Sequence, residues 1–224
     1  MRIAVLASTR GTDLQAIIDE LKAGKLKNVE LACVVSNKKN CFALQRAHEQ
    51  GFKTYFVDSK EKSRVEFDRE VAQVLEDEKI ELVVLVGYMR ILTPYFVGKF
   101  KHRIINVHPA LIPKYCGKDF FGNNVHESVL KACEKETGMT IHFVEEDVDA
   151  GPIIIQKTCP VLPNDTAETL KERVQALEKE WYPKVVQMFA DGKIKIGIAY
   201  CLSYNGTLTF NKSINYGNST AKTH

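Results

Sequence analysis

Asn106-Val107-His108-Pro109 closes an apolar run that begins at Ile104. Residues two apart in an extended strand project to one face, so the Asn106 amide and the His108 imidazole would share a side, with Pro109 ending the strand. A positioned amide can donate to an oxygen on which negative charge develops, and an imidazole can give or take a proton. A structural histidine is the alternative to this functional pair. A second cluster, Glu145-Glu146-Asp147-Val148-Asp149, sits in an acidic turn between two apolar runs and is followed by Gly151-Pro152. That Gly-Pro step would fix a tight bend and aim one carboxylate back at the strand tip; a solvated acidic turn is the alternative. A carboxylate beside an imidazole favours the charged ring, so whichever carboxylate of this turn reaches His108 is expected to raise its pKa. The third candidate is Ser8-Thr9-Arg10-Gly11-Thr12-Asp13, a polar turn ahead of a helical pattern. Unpaired N–H groups and the helix dipole there favour an anion such as phosphate, and a plain β-to-α connection is the alternative. The Asp13 carboxylate would repel phosphate unless it points away or caps the helix.

No metal centre is expected. The acidic turn lacks the Asp/Asn-and-Gly spacing of a calcium loop, and the six histidines include no H-x-H or H-x-x-x-H pair. A net charge of +3 in 224 residues, with lysines spread among glutamates, gives nucleic-acid binding no support but suits a small anionic substrate. Neither a membrane-spanning run nor a secretion signal is expected, because Arg10 and Asp13 interrupt the apolar start. The six cysteines form no C-x-x-C pair, which points to reduced thiols and a cytoplasmic location.

The elements that must position these residues follow from periodicity. Runs at Ile3 to Ala7, Val29 to Val35, Thr54 to Val57, Leu82 to Val86 and Ile104 to Val107 are short and near-continuously apolar. Parallel strands buried on both faces have this character. Helical patterns begin at Thr12, Cys41, Ser63 and Val125, so β and α alternate. The expected fold is α/β, a doubly wound and mainly parallel sheet whose ligands bind outside the carboxyl ends of the strands. Further strands are expected at Met139 to Val144 and Ile153 to Val161. A long helix should follow, opened by Asp165 with Glu168 three residues on and kinked or interrupted at Pro183. Alternation on either side of Asn205-Gly206 predicts a terminal antiparallel ribbon. One domain over 1–192 is expected, with a ribbon extension packed on it over 193–211 and a disordered tail over 212–224.

Three segments in order carry a resemblance: Gly87-Tyr88-Met89-Arg90-Ile91-Leu92, then Asn106-Val107-His108-Pro109-Ala110-Leu111-Ile112-Pro113-Lys114-Tyr115, then His142-Phe143-Val144 leading to Asp149-Ala150-Gly151-Pro152-Ile153. With them the chain resembles the glycinamide ribonucleotide formyltransferases, a branch of the folate-dependent formyltransferase superfamily, from residue 1 to about 192. The resemblance implies transfer of the formyl group of 10-formyltetrahydrofolate to an amine in purine synthesis, with Asn106, His108 and Asp149 catalytic. It places the ribonucleotide on Gly11, Thr12, Asp13, Gln175 and Glu178. It places the folate on Arg64, Met89, Arg90, Ile91, Leu92, Asn106, Glu145, Glu146, Asp147 and Val148. For Gln175 and Glu178 the structural alternative is an exposed helix face.

The partners implied are small molecules only, and the enzyme is expected to be a monomer or homodimer. The chain departs from the family's phosphate turn, Ser-Gly-x-Gly-Ser/Thr-Asn, at Thr9, Arg10 and above all Asp13, which stands where the family has Asn. Its loop between Tyr115 and His126 is also longer than the compact form. Rival readings are an amino-sugar-nucleotide formyltransferase, a formyltetrahydrofolate hydrolase, and a non-catalytic folate- or nucleotide-binding protein. The tRNA-directed branch is disfavoured, because its His-Ala-Ser or His-Gly-Ser is replaced here by His108-Pro109.

Overall fold

The computed structural model describes residues 1–194 and the strands at 200–202 and 208–210. A seven-stranded sheet forms the centre, in the order β3-β2-β1-β4-β5-β6-β7. Its strands are β1 (Arg2–Ala7), β2 (Glu30–Ser36), β3 (Lys53–Phe56), β4 (Leu82–Val86), β5 (Ile104–His108), β6 (Glu136–Phe143) and β7 (Ile153–Pro160). The first five pair in parallel. β6 runs antiparallel to β5 and β7 antiparallel to β6. This is the expected α/β, mainly parallel architecture.

Alternate side chains of the central parallel strands feed two cores, as the period of two requires. Ile3, Val5 and Ala7 pack on one face with Leu14, Ile17 and Ile18 of α1 (Thr12–Lys22) and with Val174, Tyr182 and Val185 of α6 (Ala167–Ala190). On the same face α2 (Phe42–Glu49) contributes Ala43, Leu44 and Ala47. Ala4 and Leu6 pack on the other face with Phe67, Val71 and Leu75 of α3 (Arg64–Asp77) and with Phe96 and Val97 of α4 (Pro94–Lys99). The remaining helix, α5 (Asn123–Lys131), packs against α6.

Local chemistry accounts for most boundaries. Ser63 and Glu66 form a reciprocal capping box at the start of α3. Thr93 caps α4, a helix that the periodicity did not predict, with Pro94 at its first turn. At α6 one expectation needs correction and another is narrowed. Its cap is Thr166, paired with Thr169, while Asp165 instead binds Arg173 through two charge-assisted hydrogen bonds of 2.6 and 2.8 Å. The helix also runs on through Pro183 rather than being interrupted there. Tertiary anchoring outweighs the lost backbone bond: Tyr182, Val185 and Val186 are fully buried, and the Tyr182 hydroxyl reaches the Leu85 and Ile105 carbonyls at 2.8 and 3.1 Å.

Strands β8 (Tyr200–Leu202) and β9 (Leu208–Phe210) pair antiparallel as a separate ribbon. The turn expected at Asn205-Gly206 and the tail expected over 212–224 lie outside the described residues.

Candidate functional site

β5 is the last parallel strand, and the side chains of Asn106 and His108 alternate with Ile105 and Val107, which enter the α1/α6 core. They therefore face the α3/α4 side. Over β6 and β7 that side has no helix among the described residues, since α5 and α6 lie opposite. Loops cover it instead. The antiparallel register sets Asn106 opposite His142 and His108 opposite Thr140, and directly opposed residues point to one face.

The polar cluster is closed by contacts from two loops. The Asn106 amide nitrogen lies 3.2 Å from His142 Nε2. Because His142 Nδ1 faces the Phe143 carbonyl at 2.8 Å, its proton belongs on Nδ1, and Nε2 accepts from the amide. Asp149 contacts both rings, with Oδ2 at 3.5 Å from His108 Nδ1 and Oδ1 at 3.5 Å from His142 Nε2. The Gly117 N–H donates to Asp149 Oδ2 at 3.0 Å, and the Tyr115 carbonyl accepts from His108 Nε2 at 2.7 Å. Thr140 holds the loop above: its hydroxyl donates to the Ala110 carbonyl at 2.6 Å and accepts from the Ile112 N–H at 3.1 Å.

Asp149 reaches the cluster from the turn between β6 and β7. Phe143 N–H donates to the Pro152 carbonyl at 2.9 Å, closing the turn. Gly151 passes so near this closure that a Cβ there would lie 1.9 Å from the Phe143 carbonyl oxygen. The sequence expectation that Gly151-Pro152 aims one carboxylate at the strand tip is realised in Asp149.

Electrostatics corrects one expectation. Burial holds the His108 pKa below its ordinary value, and this outweighs the opposing pull of Asp149 and of the Tyr115 carbonyl. The carboxylate acts in the expected direction, but a ring only 4% exposed loses more hydration than one partner at 3.5 Å returns. Burial also acts to raise the pKa of Asp149, yet the nearby His108 and the Gly117 N–H hold it below the usual range. It is the member whose charged form the site favours. Burial and Asp149 push the Cys116 thiol up, so it is no thiolate nucleophile.

The segment Gly87 to Leu92 is locked from three sides. Thr93 donates to Asp68 from its N–H and hydroxyl at 2.7 and 2.6 Å. Arg64 donates to the Ile91 carbonyl at 2.8 Å, and the Arg90 guanidinium stacks on Phe67 at 4.1 Å. Met89 and Ile91 stay exposed while Leu92 is buried. Ser8 joins this segment to the anion turn: its N–H donates to the Gly87 carbonyl at 3.2 Å, and its hydroxyl accepts from the Met89 N–H at 3.0 Å. Gly87 has φ +53, and a Cβ there would meet Thr9 Oγ1 at 2.2 Å.

In the anion turn Gly11 adopts φ 69 as the N-cap of α1, and no side chain caps that helix. Asp13 and Glu178 are both buried, each 6% exposed, where α1 packs against α6. The exposed-face alternative therefore fails for Glu178, and Gln175 is half-buried. Glu145, Glu146, Asp147 and Val148 are exposed on the turn that carries Asp149. The cluster thus unites His108 and Asp149 directly and Asn106 through His142, while Arg64 and the Gly11–Asp13 turn reach it only through neighbouring segments. His142, Thr140, Tyr115 and Gly117 are absent from the sequence-based set. His142 and Thr140 carried a signal, since they alternate on an apolar strand as Asn106 and His108 do, but only the register shows that the two pairs face each other.

Comparison with known proteins places the chain among relatives of known kind. The phosphoribosylglycinamide formyltransferase of Escherichia coli (strain K12) is 40% identical over 197 residues, covering 88% of this chain and 90% of the relative. The trifunctional purine biosynthetic protein adenosine-3 of Gallus gallus is 43% identical over 200 residues; 89% of this chain is covered, against only 19% of that longer protein. The crystal structure of glycinamide ribonucleotide transformylase 1 from Symbiobacterium toebii superimposes with a TM-score of 0.82 at 37% identity, covering 88% of this chain and 90% of that one. The sequence model described as formyl transferase matches residues 1–186, and the chain belongs to that family.

Proposed function

We propose that the protein is a phosphoribosylglycinamide formyltransferase, moving the formyl group of 10-formyltetrahydrofolate to the amine of glycinamide ribonucleotide in purine synthesis. The observation that carries this reading is the closed Asn106–His142–Asp149–His108 cluster at the tip of β5 in a chain of the formyl transferase family.

The folate supplies the formyl group. The exposed apolar side chains of Met89, Ile91 and Val148 fit a flat aromatic ring system, and the locked Gly87–Leu92 segment gives it a rigid edge. Glu145, Glu146 and Asp147 add polar edges from the adjacent turn. Gly11 and Thr12 offer open first-turn N–H groups to the ribonucleotide phosphate, with Asp13, Gln175 and Glu178 alongside.

As the amine adds to the formyl carbon, negative charge develops on the formyl oxygen. One Asn106 N–H is taken by His142, which fixes the amide plane, and the other is left to donate to that oxygen. A single preorganised donor of this kind contributes about 10²- to 10³-fold. His108 has acceptors against both ring nitrogens, Asp149 Oδ2 and the Tyr115 carbonyl, which offset part of the desolvation that favours its neutral form. It moves the proton between incoming amine and departing folate nitrogen, and the Tyr115 carbonyl must yield Nε2 for that step. Asp149 holds the ring and stabilises its positive charge. No covalent enzyme adduct is required.

The free thiols of Cys33, Cys41, Cys116, Cys133 and Cys159 support a cytoplasmic location. The test is a formyl-transfer assay with 10-formyltetrahydrofolate and three acceptors: glycinamide ribonucleotide, an amino-sugar nucleotide, and water. Transfer to the ribonucleotide with the highest kcat/KM is expected. Transfer only to the amino sugar, or only hydrolysis, would overturn the substrate assignment, and no turnover of the folate would overturn the reaction.

A further inference from the structure

The carboxyl of Asp13 stands in the first turn of α1, where N–H groups point out of the helix and no side chain caps them. Its Oδ1 is buried and meets no hydrogen-bond donor. A carboxylate in such a place normally either caps its own helix or finds a cation. Asp13 does neither.

What faces it explains why. From α6 come Glu178, Lys179 and Tyr182. The Tyr182 hydroxyl is already committed to backbone carbonyls. Lys179 is exposed and acts on Asp13 only through space. From α2, Arg46 is spent on the Arg10 carbonyl at 2.9 Å and on Gln15 at 3.2 Å. β4 carries no titratable side chain. Buried with it where α1 meets α6 is another acid, Glu178, itself opposed by Lys179 and Lys171.

Two carboxyls buried together cannot both stay charged cheaply, and they share protons. Burial pushes Asp13 up to about 6 against the pull of Lys179. Burial and the charge of Asp13 push Glu178 well above the usual carboxylate range. The pair thus holds protons more tightly than two separate carboxyls would and is poised to take one up. An ionised Asp13 repels a phosphate seated on the turn, whereas a neutral one is a hydrogen-bond donor, as the amide of Asn would be.

We propose that Asp13 is a proton-loaded phosphate donor: when a phosphate monoester docks on the Gly11–Asp13 turn, the Asp13–Glu178 pair takes up a proton from solvent and Asp13 donates it in a hydrogen bond to the ester. This rests on the reading of that turn as the seat of the acceptor's phosphate. It makes binding of the phosphorylated substrate proton-linked, a property the family's Asn would not confer, and it turns an apparently defective phosphate turn into one with a pH-dependent affinity.

The probe is ribose 5-phosphate, titrated calorimetrically between pH 7 and 8.5, where the ester, with its second pKa near about 6, is already dianionic. Runs in buffers of different ionisation enthalpy count protons. Uptake approaching one proton is expected, with Kd rising up to about tenfold per pH unit. Asp13→Asn should bind with no proton uptake, a flat pH dependence, and tighter affinity than the parent at pH 8.5. Binding by the parent with no proton uptake and a flat Kd overturns the inference, and this measurement stands alone should the variant fold poorly.

Formyl transfer to glycinamide ribonucleotide on the same preparations separates the two levels. Turnover with a pH-independent KM over that range refutes the role of Asp13 and leaves the substrate reading intact. Proton-linked ribose 5-phosphate binding without turnover refutes the substrate reading and leaves Asp13 its role.

Discussion

Gly151→Ala tests the link between backbone packing and the reacting groups with one methyl. Built on the native backbone, that methyl carbon lies 1.9 Å from the Phe143 carbonyl oxygen and 2.8 Å from its carbon, where real contacts stay beyond 3.0 Å. The turn must therefore open by about 1.1 Å, the difference between 3.0 and 1.9 Å. Neither wall is a flexible side chain, and the Phe143-to-Pro152 hydrogen bond spans the same gap, so relief must come from displacing the turn. Asp149 lies two residues earlier and holds both histidines at 3.5 Å, already the limit of contact. A misplacement of about 1 Å at a catalytic constellation costs on the order of 10²-fold in rate.

Overpacking costs about 1–3 kcal/mol, which for a chain of this size lowers Tm by about 2–12 °C. Steady-state kcat with saturating substrates, beside a thermal melt, measures both effects. Gly138→Ala is the control: its methyl would sit 1.8 Å from the Lys157 carbonyl oxygen in the β6–β7 ladder, without Asp149 in the displaced segment. It should lose comparable stability and much less kcat. A Gly151→Ala protein with parental kcat would refute the claim that this turn positions Asp149.

Other substitutions probe single terms. Asp149→Asn removes the main group opposing desolvation of His108, so the pH–rate limb assigned to that ring should move further to acid while turnover falls by about 10²- to 10⁴-fold; an unchanged profile with full activity would dismiss the pairing. Asn106→Ala should lower kcat with little change in folate binding by fluorescence titration, and retained kcat would exclude the amide as oxyanion donor. Tyr182→Phe removes a buried hydroxyl from the Leu85 and Ile105 carbonyls and should cost about 1–2 kcal/mol in urea unfolding, with a shift below that range counting against the bond.

His126 supplies a pH test of stability. Burial, with Lys171 and His108 adding to it, pushes its pKa down to about 4, and its Nδ1 has no partner. Between that value and the unfolded pKa of about 6.5, only the unfolded chain binds the proton, so stability falls as pH drops through this window by up to about 3 kcal/mol. The urea midpoint of His126→Gln should fall less steeply between pH 7 and 4.5 than that of the parent; parallel slopes would exclude His126 as the source.

Chemistry carried by neighbours in the chain was legible in the amino acids alone. Near-continuous apolar runs announced buried parallel strands, Gly151-Pro152 announced the bend that delivers Asp149, and the spacing of Asn106 and His108 put them on one face. Elements whose stability is decided elsewhere were not. α4 is a six-residue helix with too few turns to show a period, and it exists because Thr93 caps it while Asp68 of α3 holds Thr93. α6 passes through Pro183 because a buried tyrosine ties the helix to two strands.

The sequence by itself therefore determined the order of the sheet's strands and of the longer helices, the strand tip, and several of the acids and bases that could act. Only the tertiary structure decided which of them meet. His142 joins Asn106 through an antiparallel register that no local pattern encodes. The direction of the His108 pKa follows from burial, a property of everything packed around the ring. Asp13 and Glu178, far apart in the chain, become a buried acid pair only where α1 and α6 touch. Periodicity reports what a residue does to its own segment; desolvation and charge coupling depend on distances between segments, and those are set when the core closes.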